Sequence, residues 1–189
     1  MCLNAKCLRL LGPHYGARTA HVLNWQQLPG RAFRVSGAHK GHLIATEKSG
    51  EIYEMKDGFN WIRLDGAATH ASIGSDGDIW AVTGYALFRA RYLLIVGSRG
   101  CQPRNGDIYH RQFGAWAKAP GGSAANISVG NKDHIVCTTT SGGIYQWTGM
   151  DWKQLDGNAV NAAIGHDGDL WSVFHPPLLI ALHVFCIRF

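Results

Sequence analysis

Short stretches of alternating apolar and polar residues, separated by glycine-bearing turns, run through most of the chain. Such alternation with a period of two predicts half-buried β-strands, whereas the periodicity of an amphipathic helix is absent. Many strand positions hold β-branched or aromatic residues, which strands favour. Clear examples are ASIG at 71–74, ISVG at 127–130, AAIG at 162–165, IWAV at 79–82 and LWSV at 170–173.

These stretches recur as one repeated unit. Each unit opens with a W-x-x-L-x-G motif or a weaker copy of it, and the opening residues are Trp25, Trp61, Trp116 and Trp152. Trp25 and Trp61 are 36 residues apart, as are Trp116 and Trp152. Two strands follow, and a G-x-I-Y strand closes the unit at 50–53, 106–109 and 142–145. We read each unit as four short strands, which is the content of one propeller blade.

A single small sheet cannot bury both of its faces, so the units are expected to stack around an axis as a β-propeller. The recurrent tryptophans Trp25, Trp61, Trp116 and Trp152 are interpreted as structural residues packed between neighbouring blades. The fold class predicted from the sequence is therefore all-β, a β-propeller of four-stranded blades.

The combined pattern W-x-x-L-x-G, I-S-x-G, D-G-x-(I/L)-W-x-V and G-x-I-Y resembles the tectonin repeat family, which includes fish-egg lectins and tectonins. The resemblance covers residues 25–173 with one interruption. It implies a ring of about five or six blades, with sugar sites on or between blades in the lectin members. About four blades are encoded in this chain, so the propeller is expected to be incomplete.

The repeat is interrupted at two places, and both lie at the same position within the repeat unit. Trp61 and Trp116 are 55 residues apart, and the extra residues lie at about 85–104. After Val173 the expected G-x-I-Y strand is replaced by an apolar tail at 174–189, and residues 1–24 precede the repeats. Because both intruding segments lack acidic residues, we interpret them as translated intron, with a functional insertion loop as the alternative for 85–104.

The net charge of +5 does not indicate a nucleic-acid partner. Eight of the 18 basic residues lie in three acid-free stretches, 1–24, 85–104 and 174–189, and the rest of the chain is slightly acidic. A strongly basic patch on the repeats, which binding to nucleic acid requires, is therefore not expected. The longest apolar run, 178–189, is too short to span a bilayer.

Cysteine spacing favours neither a disulfide framework nor a metal site. The five cysteines are an odd number, and Cys2 and Cys7 have no second ligand pair at zinc-like spacing. No cofactor is expected. The N-terminal residues include Lys6 and Arg9 and do not resemble a secretory signal.

Motifs of nucleophilic, zinc-peptidase or phosphate-binding enzymes are absent from the sequence, so no catalytic residues are assigned. Two Asp-Gly-Asp triplets, at 76–78 and 167–169, place two carboxylates close together. A glycosidase needs such a pair, but Asp-Gly also forms tight hairpin turns, which is the favoured interpretation.

Candidate sugar contacts combine aromatic faces with fixed polar groups. The candidates are Asp76, Asp78, Trp80, Asp167, Asp169, Trp171, Tyr109 and Tyr145. For the tryptophans, packing in the core is the competing interpretation, and for the tyrosines it is a hydrogen bond to a neighbouring blade.

The sequence thus predicts a multivalent carbohydrate-binding protein that recognises bacterial or egg-surface glycans. An extracellular, defence-related setting follows from the family resemblance alone. The alternative is an intracellular tectonin-repeat scaffold of vesicle trafficking or autophagy, with a cytoplasmic location. Self-association would supply the missing blades.

Overall fold

A computed structural model describes residues 8–11, 24–39, 41–84, 105–174 and 183–187. Every regular element in these ranges is a β-strand, and all strand pairs within the sheets are antiparallel. Within them, no helix is long and apolar enough to cross a membrane. The all-β prediction is confirmed.

Three sheets have four strands in simple sequential order. The strands of the first sheet are β3 (Arg34–Gly37), β4 (Leu43–Thr46), β5 (Ile52–Met55) and β6 (Ile62–Leu64). Those of the second are β7 (His70–Ile73), β8 (Ile79–Val82), β9 (Gly106–Gln112) and β10 (Ala115–Ala124). Those of the third are β11 (Asn126–Asn131), β12 (His134–Thr138), β13 (Ile144–Trp147) and β14 (Trp152–Leu155).

Two smaller sheets flank this series. Before it, β1 (Leu8–Leu11) pairs with β2 (Asn24–Gln27). After it, a fourth sheet contains β15 (Asn161–Ile164), β16 (Leu170–Phe174) and β17 (His183–Ile187). Strand β17 pairs with β16, in the position where the sequence pattern leads one to expect a G-x-I-Y strand. Part of the apolar tail therefore supplies a third strand.

The sheets are out of phase with the repeat that starts at tryptophan. A sheet begins with the strand that follows the W-x-x-L-x-G motif and ends with the tryptophan strand of the next unit. Trp152, for example, begins the last strand of the third sheet and not the first strand of the fourth. The predicted blades from Trp25, Trp61, Trp116 and Trp152 are thus each displaced by one strand.

The second sheet is continuous across the predicted insertion. Val82 on β8 pairs with Ile108 on β9, and the backbone N–H of Thr83 donates to the carbonyl of Asp107 over 2.9 Å. Residues 85–104 lie outside the described residues. The strands that the repeat pattern assigns to either side of the insertion are neighbours in one sheet.

Neighbouring sheets stack face to face, and apolar side chains fill the space between them. Ile44 and Ile52 of the first sheet meet Ile73 and Ile79 of the second, for example, and all four are almost fully buried. Further buried clusters join the second sheet to the third and the third to the fourth. The apolar face predicted for each small sheet is covered by its neighbour, as in a propeller.

Side chains, and not a backbone ladder, hydrogen-bond the first strands of successive sheets. Ser36 accepts from the backbone N–H of Ile73 over 3.3 Å, Ser72 from Val129 over 3.1 Å, and Ser128 from Ile164 over 3.1 Å. The serine of the x-S-x-G pattern therefore joins each sheet to the next. In the fourth sheet this position is Ala163.

We expect Ser72→Ala to lower the free energy of unfolding by about 1–3 kcal/mol, because it leaves the buried N–H of Val129 without an acceptor. Ser72 also bonds Ser36 over 3.1 Å, so both neighbouring junctions are affected. Denaturant unfolding measures the change. Ser123→Ala, at an exposed serine, is the control and should stay within about 0.5 kcal/mol of the wild type. Equal effects of the two substitutions would contradict the assignment.

Candidate functional site

Two equivalent clefts open between successive sheets, each beside a repeat tryptophan. The Trp116 cleft has a volume of about 300 Å³ and the Trp61 cleft about 160 Å³. One wall of each is the loop that follows the preceding W-x-x-L-x-G motif. The other wall carries an alanine, a tyrosine and the tryptophan from adjacent strands: Ala81, Tyr109 and Trp116 in one cleft, Ala45, Tyr53 and Trp61 in the other.

The tryptophans are fixed by the preceding motif. The indole N–H of Trp61 donates to the carbonyl of Pro29 over 2.8 Å, and that of Trp116 to the carbonyl of Asp65 over 2.9 Å. Each indole also lies beside a glycine, Gly30 or Gly66, whose positive φ allows the turn. The repeat spacing therefore places a tryptophan of one sheet against the motif of the sheet before it.

An acid–base pair accompanies the tyrosine of each cleft. In the Trp61 cleft, Arg63 approaches Glu51 to 3.0 Å, and the Tyr53 hydroxyl donates to Glu51 over 3.4 Å. In the Trp116 cleft, Lys118 approaches Asp107 to 3.0 Å. The acid stands two residues before the tyrosine and the base two residues after the tryptophan. Cross-strand pairing brings them together, since Tyr53 faces Arg63 and Tyr109 faces Lys118.

The electrostatics of the clefts follow from these pairs. Loss of hydration, followed by the negative charges of Glu51 and Glu47, raises the pKa of Tyr53, so its phenol stays protonated and can donate. Beside the Trp116 cleft, Arg111 lies 5.2 Å from the Trp116 ring and bonds Asp65 over 2.7 Å. That bond lowers the pKa of Asp65.

The third junction lacks this arrangement. Gly143 and Gln154 occupy the positions of the acid and the base, and the buried indole nitrogen of Trp152 has no hydrogen-bond partner. The segment that follows the preceding motif, from Gly121 to Gly130, is one residue longer than in the neighbouring units, and the pairing of β10 with β9 shifts register between Lys118 and Ser123. One extra residue in a strand is accommodated as a bulge, which displaces the carbonyl that would meet Trp152.

The structure places the predicted triad of Asp76, Asp78 and Trp80 inside the protein framework. Trp80 is only 2% exposed, and its indole N–H donates to Asp78 over 2.7 Å. Asp78 also bonds His110 over 2.5 Å, and His110 stacks on Trp80 with ring centroids 4.4 Å apart. Asp76 accepts from the backbone N–H of Lys132 in the next sheet over 2.7 Å. Asp76 joins the second sheet to the third and is exposed, whereas Asp78 is half-buried and Trp80 is buried.

Burial acts to raise the pKa of Asp78, but hydrogen bonds from His110 and Trp80, together with the charge of Lys132, lower it overall. Asp78 is therefore a carboxylate that accepts two side-chain bonds. His110 could not be predicted as the partner of Asp78, because it lies 32 residues further along the chain.

The second triad has the same local turn but a different environment. Asp167 accepts from the backbone N–H of Asp169 over 3.3 Å, as Asp76 does from Asp78 over 3.2 Å. Both central glycines have positive φ, which is the hairpin-turn interpretation of Asp-Gly-Asp. Trp171, however, is 46% exposed.

Of the predicted tyrosines, Tyr109 lines the Trp116 cleft, whereas Tyr145 packs against the buried cluster between the second and third sheets. The side chain of Trp25 lies outside the described residues. Sequence reasoning did not select Glu51, Arg63, Asp107 or Lys118. The signal for them was their recurrence at fixed offsets from the repeat tyrosine and tryptophan.

No family model matches the chain. A curated relative, Tectonin-1 from Physarum polycephalum, is 37% identical over 59 residues. That match covers 31% of this chain and 27% of Tectonin-1, so the chain spans about a quarter of the relative's length.

Two solved structures are similar in fold. A gluconolactonase from Xanthomonas campestris has a TM-score of 0.51 and 16% identity, covering 79% of this chain and 59% of that protein. YCF48 from Cyanidioschyzon merolae has a TM-score of 0.45 and 15% identity, covering 79% of this chain and 57% of that protein. The repeats and the partial match make about a third of the chain similar to the tectonin repeat family, and the stacked four-stranded sheets form a β-propeller-like fold.

Proposed function

We propose that this protein is a multivalent carbohydrate-binding protein and that the Trp61 and Trp116 clefts are its sugar sites. The observation that carries the proposal is the recurrence of one cleft at two successive junctions, with the same aromatic pair and the same acid–base pair. Cross-strand pairing thus places the same set of aromatic and polar side chains at or beside both clefts.

The groups of each cleft match the surface of a sugar. The rings of Tyr109 and Trp116 offer apolar faces for the C–H side of a pyranose. Asp107 lines the Trp116 cleft and offers an acceptor for the hydroxyls, and Lys118, which pairs with Asp107 over 3.0 Å beside the cleft, offers donors. Directional polar groups of this kind give orientation and specificity. Such a binding role requires no bond to be broken, so the proposal is for recognition and not catalysis.

Repetition compensates for the small size of the clefts. A shallow site binds a sugar weakly, but two linked sites on one chain engage a glycan-covered surface at high effective concentration. By family resemblance we extend the proposal to glycans of microbial or egg surfaces and to an extracellular location. Self-association, which would add blades, would also multiply the sites.

We expect Tyr109→Ala to remove sugar binding at the Trp116 cleft and Tyr53→Ala to remove it at the Trp61 cleft. Each single variant should bind an immobilised glycan at least about tenfold more weakly, because avidity is lost with either site. The double variant should not bind. A glycan array identifies the sugar, and surface plasmon resonance with that sugar measures the variants.

Phe113→Ala is the matched control, since Phe113 is an exposed aromatic residue that lines neither cleft. It should bind like the wild type. Thermal unfolding confirms that each variant is folded. A folded double variant that binds glycans as well as the wild type, or a folded wild type that binds none on the array, would defeat the proposal.

A further inference from the structure

A larger cavity lies at one end of the stacked sheets, where the first strand of each sheet begins. It has a volume of about 690 Å³, and we call it the axial pocket. All four sheets contribute to it through strand starts and through turns, and its lining includes Phe33, Arg34, Lys48, Asn126 and Asn158. A second cavity of about 470 Å³ shares Arg34 and Asn126 with it.

Two cations stand together in the axial pocket around one aromatic ring. The guanidinium carbon of Arg34 lies 5.8 Å and the Lys48 ammonium 5.7 Å from the centre of the Phe33 ring. Phe33 is 54% exposed, so part of its ring is accessible from solvent. Within the described part of the chain, neither Arg34 nor Lys48 forms an ion pair with a carboxylate.

The guanidinium of Arg34 is held at the axial pocket by a side-chain hydrogen bond. Its Nη1 donates to the side-chain oxygen of Asn126 over 2.7 Å, which holds the guanidinium across the first strands. The pocket also has an acidic lining residue, Glu47, whose charge acts on Tyr53 in the neighbouring cleft and raises that pKa. The pocket therefore has a fixed guanidinium that is not neutralised by a bonded acid.

His70 lies close enough to Arg34 for that charge to act on its imidazole. It lines the second cavity and accepts the backbone N–H of Ile127 over 3.2 Å through Nδ1. Burial, followed by the charge of Arg34, lowers the pKa of His70 to about 4, so the ring is neutral at physiological pH. The neutral imidazole adds no charge, and the lining of the axial pocket carries two cations, Arg34 and Lys48, against one carboxylate, Glu47.

We propose that the axial pocket binds a saccharide that carries an anionic group, either a carboxylate or a sulfate ester. A guanidinium and an ammonium match such a group, the exposed face of Phe33 matches the apolar side of a sugar ring, and the amide of Asn158 can bond its hydroxyls. This inference rests on the proposed function in taking a sugar as the ligand. Arg34, Lys48 and Phe33 line neither the Trp61 nor the Trp116 cleft, although Glu47 also lines the first and Gly84 the second.

Isothermal titration of the full chain with glucuronic acid, glucose 6-sulfate and glucose tests the inference. We expect the wild type to bind at least one of the two acids more tightly than glucose, and the pair of acids shows whether carboxylate or sulfate is preferred. Arg34→Gln should weaken that binding at least about tenfold, and Lys48→Gln several-fold. Lys153→Gln removes the same charge from an exposed site outside the described pockets and should leave binding unchanged.

Lys48→Gln breaks no hydrogen bond to Asn126, so it remains informative if Arg34→Gln fails to fold. The inference is overturned if glucose binds as tightly as both acids, if inorganic sulfate competes as well as the sugars, or if folded Arg34→Gln and Lys48→Gln bind like the wild type. The double variant of Tyr53 and Tyr109 separates the two proposals. Acid-dependent binding that persists in it supports the axial pocket even where the cleft proposal fails.

Discussion

We expect Trp80→Ala to lower the free energy of unfolding by about 3–5 kcal/mol, the cost typical of truncating a large buried aromatic residue. Trp80 is 2% exposed and packs against Trp147 and Trp152 of the next sheet, with ring centroids 5.4 and 6.0 Å away. Its loss leaves a cavity at the junction and takes one of the two side-chain hydrogen bonds from Asp78. Denaturant unfolding followed by tryptophan fluorescence or circular dichroism measures the change.

Trp171→Ala is the matched control, because Trp171 occupies the same position in an almost identical D-G-D-x-W sequence. Trp171 is 46% exposed, so folding buries less of its apolar surface than of Trp80. We therefore expect Trp171→Ala to lower the free energy of unfolding by about 1 kcal/mol or less. Similar losses for the two variants would show that the second and third sheets do not pack as described.

The second large effect is expected from Gly130→Ala. A Cβ built on Gly130 would lie 2.1 Å from the carbonyl oxygen of Gly165, so a backbone of the neighbouring sheet occupies the space of the methyl group. Neither backbone can move without separating the third and fourth sheets. We therefore expect the free energy of unfolding to fall by at least about 3 kcal/mol, or the protein not to fold. Thermal unfolding and the yield of soluble protein report the outcome.

Gly37→Ala provides the comparison. A Cβ on Gly37 meets only the end of the Leu43 side chain, at 3.0 Å, and that side chain can change rotamer. We expect its effect to stay below about 1 kcal/mol. If Gly130→Ala is as stable as Gly37→Ala, the third and fourth sheets are not in the close contact described at Gly130.

The repeat made the fold class predictable, because alternation and turn glycines are local properties that each copy shows again. The boundaries of the sheets were not predictable in the same way. Trp61 begins the W-x-x-L-x-G motif in the sequence, yet the strand after it closes the sheet formed by the preceding residues. Packing between segments decides which strands pair. A periodic sequence alone does not show at which strand of the repeat a sheet begins.

The candidate site shows the same limit. Trp80 and Trp171 are indistinguishable by local sequence, and only the presence of a covering sheet makes one of them core. Tyr109 could be predicted as a candidate because its aromatic ring recurs with the repeat. Its polar neighbours Asp107 and Lys118 could not, since cross-strand pairing brings together residues from two different strands.

The offset between repeat and sheet affects how a chain of this kind grows by duplication. A copied 36-residue unit begins with a tryptophan strand, which completes the sheet before it, and ends with three strands that the next tryptophan strand completes. Each added copy therefore supplies the outer strand of the sheet before it and takes the outer strand of its own sheet from the copy that follows. Tandem duplication therefore lengthens the array by complete four-stranded sheets and leaves none of them short of its outer strand.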